Sequence, residues 1–444
     1  MSTTELKYLQ FVRFKDITQW DLKRYLNQLI KSRFPIVTLN EHIKEESTKY
    51  NISDPQTNYG MLGVNNQTGI FDAYIESGSK IKQKYKRMEN GWIAYNPYRV
   101  NIGSIGIKKK EHKYEFISPA YVVFSCQNSL LPEYLFLTMK TLKFNSIIRD
   151  NTTGSVRQNL SYENLKTLQI PLPTLSEQQA LIDTYNAKLQ QAEDLEKLAE
   201  QKKKEIEEYL LQELGIEEHE NQSVKKDSYL EFVRFKDIER WDCYNNKNKG
   251  HSSFYNEVPL SKILIEKPQY GAAYKAKDKA SDIRYIRITD ITEDGSLTDT
   301  FASADQFKEQ YLLNQYDFLI ARSGATVGKT FLYEEKYGKA IFAGYLIRFI
   351  LNKSMVDPYY ILVYTKSYIY KKWIQNNMRV SGQPNINSQQ YMDSPIILPP
   401  LDIQNRIVAH ISEQKERIKE LKQQAEYLRK SAPEEFEKEI FEEK

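Results

Sequence analysis

Ser323-Gly324-Ala325-Thr326-Val327-Gly328-Lys329-Thr330 is a stretch whose residue types suggest chemistry, since a glycine loop ending in Lys-Thr is how backbone amides wrap a nucleotide phosphate. Only three residues separate its glycines where that loop needs four, and no strand–helix series follows, so ATP binding is not expected. Tyr95-Asn96-Pro97-Tyr98 and Asp357-Pro358-Tyr359-Tyr360 echo the [Asn/Asp]-Pro-Pro-aromatic motif of amino-methyltransferases, but both lack the second proline. The F-x-G-x-G loop that would hold adenosyl-methionine is also missing. His42, His112, His219, His251 and His410 are scattered, without the H-E-x-x-H spacing of a zinc enzyme. Cys126 and Cys243 stand far apart, which excludes a disulfide framework and a cysteine zinc site. There is no G-x-S-x-G nucleophile elbow. The residues describe a binder, with no catalytic, cofactor-binding or metal-ligating side chain expected in the chain.

Binding chemistry is better represented. Lys80, Lys82, Lys84, Lys86 and Arg87 interleave with Tyr85, and Lys108, Lys109 and Lys110 follow. A second basic region runs through Lys275, Lys277 and Lys279. Cations neutralise phosphates, while arginine and amide side chains can bond two base atoms at once. The candidates for DNA contact in the first half are Arg87, Tyr95, Asn96, Arg99, Asn101, Ser104 and Lys109, with Arg157 and Gln158 near a later turn. In the second half they are Tyr270, Lys275, Arg284, Arg287, Arg322, Ser323, Thr326, Lys329 and Gln383. Any one of the lysines could equally guard an exposed sheet edge.

Composition allows this reading. The 444 residues carry a net charge of +4 and are 40% hydrophobic, as in a globular protein of two or more domains. By segment the net charge alternates: +9 over 1–174, −7 over 175–228, +4 over 229–400 and −2 over 401–444. The longest apolar stretches, near 121–124 and 359–364, are too short for a membrane helix, and the N-terminus lacks a secretory pattern. A cytoplasmic protein is expected.

The elements that must position these residues come in duplicate. Phe11-Val12-Arg13-Phe14-Lys15-Asp16-Ile17 with Trp20-Asp21 recurs as Phe232-Val233-Arg234-Phe235-Lys236-Asp237-Ile238 with Trp241-Asp242. Leu172-Pro173-Thr174-Leu175 matches Leu398-Pro399-Pro400-Leu401, and each precedes a long polar helix. The halves therefore read as mixed α/β globules over 1–174 and 229–400. Helices follow over 175–215 and 401–432, with a linker over 216–228 and a tail over 433–444. Strands are expected at 121–124, 283–288, 317–320 and 345–350, and helices after Pro132 and Pro358. Ser176 with Gln179 reads as a capping box, Gly215 as a left-handed cap, and Pro433 as a helix stop. The first seam runs Ile182, Tyr185, Leu189, Ala192, Leu195, Ala199, Ile206 and Tyr209, interrupted by Lys202. The second runs Ile407, Ile411, Ile418, Leu421, Ala425, Leu428 and Ala432, interrupted by Gln414. Such narrow seams want a helical partner, and a pseudo-two-fold duplication makes the pair antiparallel.

With these motifs in order, the chain resembles the specificity subunit of type I restriction–modification enzymes over nearly its full length. Tyr95 to Ser104 looks like that family's strand-and-turn element. Gly154 to Leu160 and Ser381-Gly382-Gln383-Pro384-Asn385-Ile386 look like its glycine-plus-amide turn, and Leu-Pro-x-Leu-x-x-Gln at 172–178 and 398–404 leads into each helix. The resemblance implies an α+β fold: two tandem, pseudo-symmetric target-recognition domains separated by two long helices forming an antiparallel coiled coil. It implies recognition of a bipartite double-stranded DNA site and docking of two modification subunits, with restriction/translocase subunits joining them. S-adenosyl-methionine and ATP would then belong to those partners. A self-contained DNA adenine methyltransferase and a coiled-coil protein adaptor are the competing classes. If the helices set half-site spacing, one heptad inserted in both adds about 10.5 Å, near three base-pair rises. Sequencing of methylated host DNA should then show a wider gap between unchanged half-sites.

Overall fold

The computed structural model describes residues 30–151, 159–216, 253–278, 281–378 and 383–441. The repeats at 11–21 and 232–242, linker residues 217–228, and Gly154, Arg157, Gln158, Lys279, Ser381 and Gly382 lie outside the described residues. Two compact units emerge: Met1–Glu196 with Lys422–Lys444, and Lys197–Leu421. Both long helices thus contribute to both units.

In unit 1 the strands are β1 (Ile36–Thr38), β2 (Ile43–Glu45), β3 (Lys49–Tyr50), β4 (Asn58–Val64), β5 (Ile70–Ser77), β6 (Tyr85–Arg87), β7 (Ile93–Tyr95), β8 (Ile105–Ile107), β9 (Phe116–Ile117), β10 (Val122–Cys126) and β11 (Gln169–Pro171). The helices are α1 (Pro132–Lys140), α2 (Leu142–Asp150), α3 (Tyr162–Leu165) and α4 (Leu175–Leu214). Unit 2 holds β12 (Glu257–Pro259), β13 (Gln269–Tyr270), β14 (Ala276–Asp278), β15 (Arg284–Ile286), β16 (Ala302–Ala304), β17 (Phe318–Ala321), β18 (Thr330–Leu332), β19 (Ala340–Phe342), β20 (Leu346–Phe349) and β21 (Pro395–Ile397). Its helices are α5 (Pro358–Tyr364), α6 (Tyr368–Asn377), α7 (Ser388–Met392) and α8 (Leu401–Ile440).

The two units share a four-stranded sheet, β2-β10-β7-β8 in one and β13-β20-β17-β18 in the other, and a two-stranded ladder, β1-β11 or β12-β21. All four residues of β17 are buried, as its unbroken apolar run requires of a central strand. They differ beyond that. Unit 1 adds a five-stranded sheet, β3-β6-β9-β4-β5, whereas unit 2 adds the pairs β14-β16 and β15-β19. The expected strands at 121–124, 283–288, 317–320 and 345–350 are β10, β15, β17 and β20. Pro132 and Pro358 open α1 and α5 as first-turn prolines.

The Leu-Pro-x-Leu-x-x-Gln element has a physical purpose. Gln178 is fully buried; its side-chain oxygen accepts from Leu131 N–H (2.8 Å) and its amide donates to the Ser129 (3.0 Å) and Pro173 (2.9 Å) carbonyls. Gln404 does the same in unit 2, accepting from Asp357 N–H (2.8 Å) and donating to the Met355 (3.1 Å) and Pro399 (2.8 Å) carbonyls. Each long helix is thereby pinned to the residue that caps α1 or α5.

The capping box of α4 is Thr174 with Glu177, not Ser176 with Gln179: Thr174 N–H and hydroxyl donate to the Glu177 carboxylate at 2.8 and 2.7 Å. The Gly215 cap is present, with φ +68°. Pro433 does not stop α8, which runs eight residues past 432 to Ile440. Pro433 lies on the exposed face, where its missing N–H strips only a solvent-side bond. The residues beyond it are core rather than tail. Phe436, Ile440 and Phe441 are buried in unit 1, with Phe436 5.9 Å from the Tyr134 ring and 6.0 Å from the Tyr185 ring.

In each unit the helix segments run antiparallel. Unit 1 pairs Glu196 with Arg429 through two bonds (2.9 and 2.8 Å) and Lys188 with Glu435. Unit 2 pairs Glu213 with Arg406 (2.6 Å) and stacks Tyr209 on His410. Ile182 packs in the core of unit 1 and Ile407 and Ile411 in that of unit 2; Ala192, Ala199, Ile418, Leu421, Ala425 and Ala432 are also buried, while Tyr185, Leu189, Leu195, Ile206 and Leu428 are half-buried. The two interruptions of the seam meet: the Lys202 ammonium donates to the Gln414 side-chain oxygen at 3.1 Å. Among the described residues no helix is long and apolar enough to cross a membrane. Because Phe436 fills the core of unit 1, Phe436→Ala should cost about 3–5 kcal/mol. Urea unfolding of the full chain should show an early loss of unit 1.

Candidate nucleic-acid interface

In both units the chain leaves the third strand of the four-stranded sheet into a glycine-bearing loop tied to a later turn. In unit 1 that loop, 96–104, follows β7. Asn96 N–H donates to the Ser104 carbonyl (3.0 Å), and the Asn96 side-chain oxygen accepts from Tyr98 N–H (3.0 Å). Gly103 closes it with φ +86°, a conformation costly for any side chain. Leu160 N–H donates to the Pro97 carbonyl (3.1 Å), and the Tyr95 hydroxyl donates to the Leu160 carbonyl (3.1 Å).

Unit 2 repeats the arrangement after β17. Gly324 and Gly328 have φ +75° and +85°. Gly324 N–H donates to the Pro384 carbonyl (2.9 Å) and Ile386 N–H to the Arg322 carbonyl (3.0 Å). The phosphate-loop look of 323–330 thus serves a turn into strand β18, and no helix N-terminus follows to receive a phosphate.

The expected contacts separate into three groups. Tyr95, Ser104, Arg284 and Ser323 are buried, which corrects their assignment to a DNA surface. Tyr95 is a core residue whose phenol burial pushes far above its usual pKa range. Arg284 donates to the Thr298 (2.6 Å) and Thr300 (2.9 Å) carbonyls and so fixes a loop. A second group is committed to acidic neighbours. Arg287 bonds both oxygens of Asp290 (3.0 and 2.7 Å), which raises its pKa. Lys329 meets Glu293 at 2.8 Å, holding that carboxyl below its ordinary range. Arg87 is exposed but paired with Glu115 (2.9 Å), and the Lys109 ammonium lies 3.9 Å from Glu111. Lys86, inside the basic run, points inward to the Tyr121 carbonyl (2.9 Å), and burial lowers its pKa.

The third group is presented at the loops. Arg99 is exposed and Asn101 half-buried in unit 1. In unit 2 Tyr270, Arg322 and Gln383 come together, the Arg322 guanidinium carbon lying 4.9 Å from the Tyr270 ring centre. The Gln383 amide nitrogen lies 3.5 Å from where a Cβ on Gly324 would project. Ser323 is buried beside them, and Thr326 is half-buried and turns back to the Ser323 carbonyl (3.2 Å). Lys275 is exposed, but its backbone N–H donates to Asp305 (3.0 Å) on a separate strand pair. Three exposed residues were missed: Tyr98 (54%) and Ile102 (57%) on the unit 1 loop, and Tyr345 (53%) in unit 2. Their signal was an aromatic or apolar side chain inside a turn, where burial offers no reason for it.

Among the described residues no group of three His, Cys, Asp or Glu could hold a metal ion. A cleft of about 280 Å³ lies along the helix segments of unit 1, lined by Phe34, Tyr185 and Phe436, and borders none of the loop residues.

The profile of the type I restriction modification DNA specificity domain matches twice, over residues 34–208 and 264–427. No curated protein sequence matches significantly. Among solved structures, a chain from a study of "complex assembly and conformational transition of the type I R-M system" aligns with TM-score 0.60 and 15% identity, covering 92% of this chain and 98% of that one. The HsdS subunit from Thermoanaerobacter tengcongensis aligns with TM-score 0.52 and 14% identity, covering 92% and 96%. Since Arg284 bonds only carbonyls, Arg284→Ala should lower stability by about 2–3 kcal/mol. Any DNA preference of the folded variant, measured by competition binding, should be that of the parent.

Proposed function

The chain belongs to the type I restriction modification DNA specificity family, and from that premise we propose that it is the sequence-reading subunit of a cytoplasmic restriction–modification complex. Each unit grips one half of a bipartite site in double-stranded DNA. Two modification subunits dock on the chain and supply S-adenosyl-methionine and methyl transfer; restriction/translocase subunits supply ATP hydrolysis and cleavage. The chain itself performs no chemistry. What supports this reading most is one geometry used twice with different side chains: Tyr98, Arg99 and Ile102 on the loop of unit 1, Arg322, Tyr345 and Gln383 around the loop of unit 2. A shared scaffold with unlike loops is suited to reading two unlike sequences, because the fold positions the loop while the side chains select the base edges.

We assign the neutralisation of phosphates, which carries no sequence information, to the exposed cations of unit 1: Lys82, Lys84, Lys110 and also Lys109, whose 3.9 Å contact with Glu111 is solvent-exposed and yields to a phosphate. Duplex binding by the chain co-purified with its methyltransferase partner tests the reading. Methyl transfer by the isolated chain would show an enzyme instead, and absence of duplex binding by the complex would show a protein adaptor. Lys109→Ala should weaken binding to all duplexes alike and reduce the slope of log affinity against log salt by about 0.9. A salt titration of the binding constant, run on matched and unmatched duplexes, measures both effects.

A further inference from the structure

Arg322 differs from the other well-placed arginines of unit 2 in what its fork is doing. The Arg284 guanidinium spends its bonds on the Thr298 and Thr300 carbonyls, Arg287 on Asp290, and Arg348 on the Leu312 carbonyl and Asp317. Arg322 uses Nε alone, donating to the Gly344 carbonyl at 3.1 Å. Among the described residues its two terminal nitrogens have no acceptor, which leaves four N–H donors directed together.

The side chain is nevertheless held. Its backbone is clamped on both sides, N–H to the Tyr345 carbonyl (2.9 Å) and carbonyl from Ile386 N–H (3.0 Å). The Tyr270 and Tyr345 ring centres lie 4.9 and 5.9 Å from the guanidinium carbon. Tyr270 is itself fixed, its hydroxyl donating to the Ser388 hydroxyl (3.1 Å) and accepting from Ser388 N–H (3.1 Å). An arginine braced by aromatic faces has already lost most of the rotamer freedom that binding would otherwise remove. Tyr345 is 53% exposed, so the guanidinium it braces lies beside solvent.

We propose that Arg322, braced by Tyr270 and Tyr345, reads a guanine through the major groove in the half-site gripped by unit 2. Guanine alone offers two acceptors, N7 and O6, on its major-groove edge, matching an all-donor fork; adenine sets a donor beside its N7 and disrupts the match. The proposal rests on the DNA-binding function set out above and adds the base and the residue that selects it. Tyr345 is a positioning residue, acting through Arg322.

The test uses the full chain in complex with its methyltransferase subunits, after sequencing of methylated DNA has given both half-sites. Each guanine in the half-site of unit 2 is replaced in turn by 7-deazaguanine, which lacks the N7 acceptor, and binding is measured. At one position the replacement should weaken the parent complex about tenfold to a hundredfold and the Arg322→Ala complex less than about twofold. Arg322→Lys should also lose the discrimination, since an ammonium keeps the charge but not the planar fork. Tyr345→Ala should reduce the penalty at that same position while the half-site of unit 1 stays as selective as before, a readout that survives if Arg322→Ala fails to fold. A full parental penalty at every guanine in Arg322→Ala, or a half-site without guanine, overturns the assignment while leaving the DNA-reading function intact. A parent complex that prefers no duplex sequence overturns both.

Discussion

A glutamine amide without solvent contact, three bonds deep in protein, fixes the first turn of each long helix. Buried amides tolerate few arrangements, because each polar atom left without a partner costs about 1–3 kcal/mol. Gln178 and Gln404 meet that demand by bridging three separate pieces of backbone: the segment after β10 or β20, the cap of α1 or α5, and the proline ahead of the helix. Only one placement of the helix satisfies all three at once, so its direction follows from the globule it grows from. The same globule then receives the far end of the other helix. Glu437 accepts from the first-turn N–H groups of α2, Leu142 at 2.6 Å and Lys143 at 3.2 Å, and Glu207 accepts from Tyr368 N–H at the start of α6 (2.5 Å). A carboxylate there satisfies unpaired donors and faces the positive end of the helix dipole.

Between those anchors the helices obey a register. An apolar seam of alanine, leucine and isoleucine tolerates sliding, since one turn of such a surface resembles the next. The Lys202–Gln414 bond does not, because a shift would bury an ammonium against aliphatic side chains. Its stabilisation is small. Its contribution is to choose among registers of similar packing.

Much of this was legible in the residues. Seam positions, the Gly215 cap, the opening prolines and four strands, three of them central, follow from spacing and from the limited conformations of proline and glycine. What escaped did so for identifiable reasons. Pro433 was read as a stop because a proline removes one helical bond, yet on an exposed face that loss is shared with water, and the burial of Phe436, Ile440 and Phe441 outweighs it. Arg284 and Arg287 resembled surface cations because sequence does not reveal which carbonyls or carboxylates a loop brings alongside. Tyr95 belongs to a motif that is a surface feature at Arg99 and a core feature four residues earlier, and one period of a short strand cannot separate the two. Arg322 and Gln383 lie 61 positions apart, and their meeting depends on β17 and α7 sharing one end of the unit.

The tie between the third strand and the later turn shows why the two halves could diverge so far without losing the fold. In unit 1 the hydroxyl that makes it comes from the strand, Tyr95 donating to the Leu160 carbonyl. In unit 2 it comes from the helix after the turn, Tyr391 donating to the Ala321 carbonyl at 2.8 Å. Both bonds are buried, and both fasten the end of the strand to the same neighbourhood. The requirement is therefore a buried hydroxyl bridging two backbones, not a tyrosine at one position. Once that bridge and the buried glutamine hold strand, turn and helix together, the outward side chains of the loop bear little of the stability. They are free to differ in size and charge, and that freedom lets one scaffold carry Arg99 and Ile102 in one place and an aromatic-braced arginine in the other.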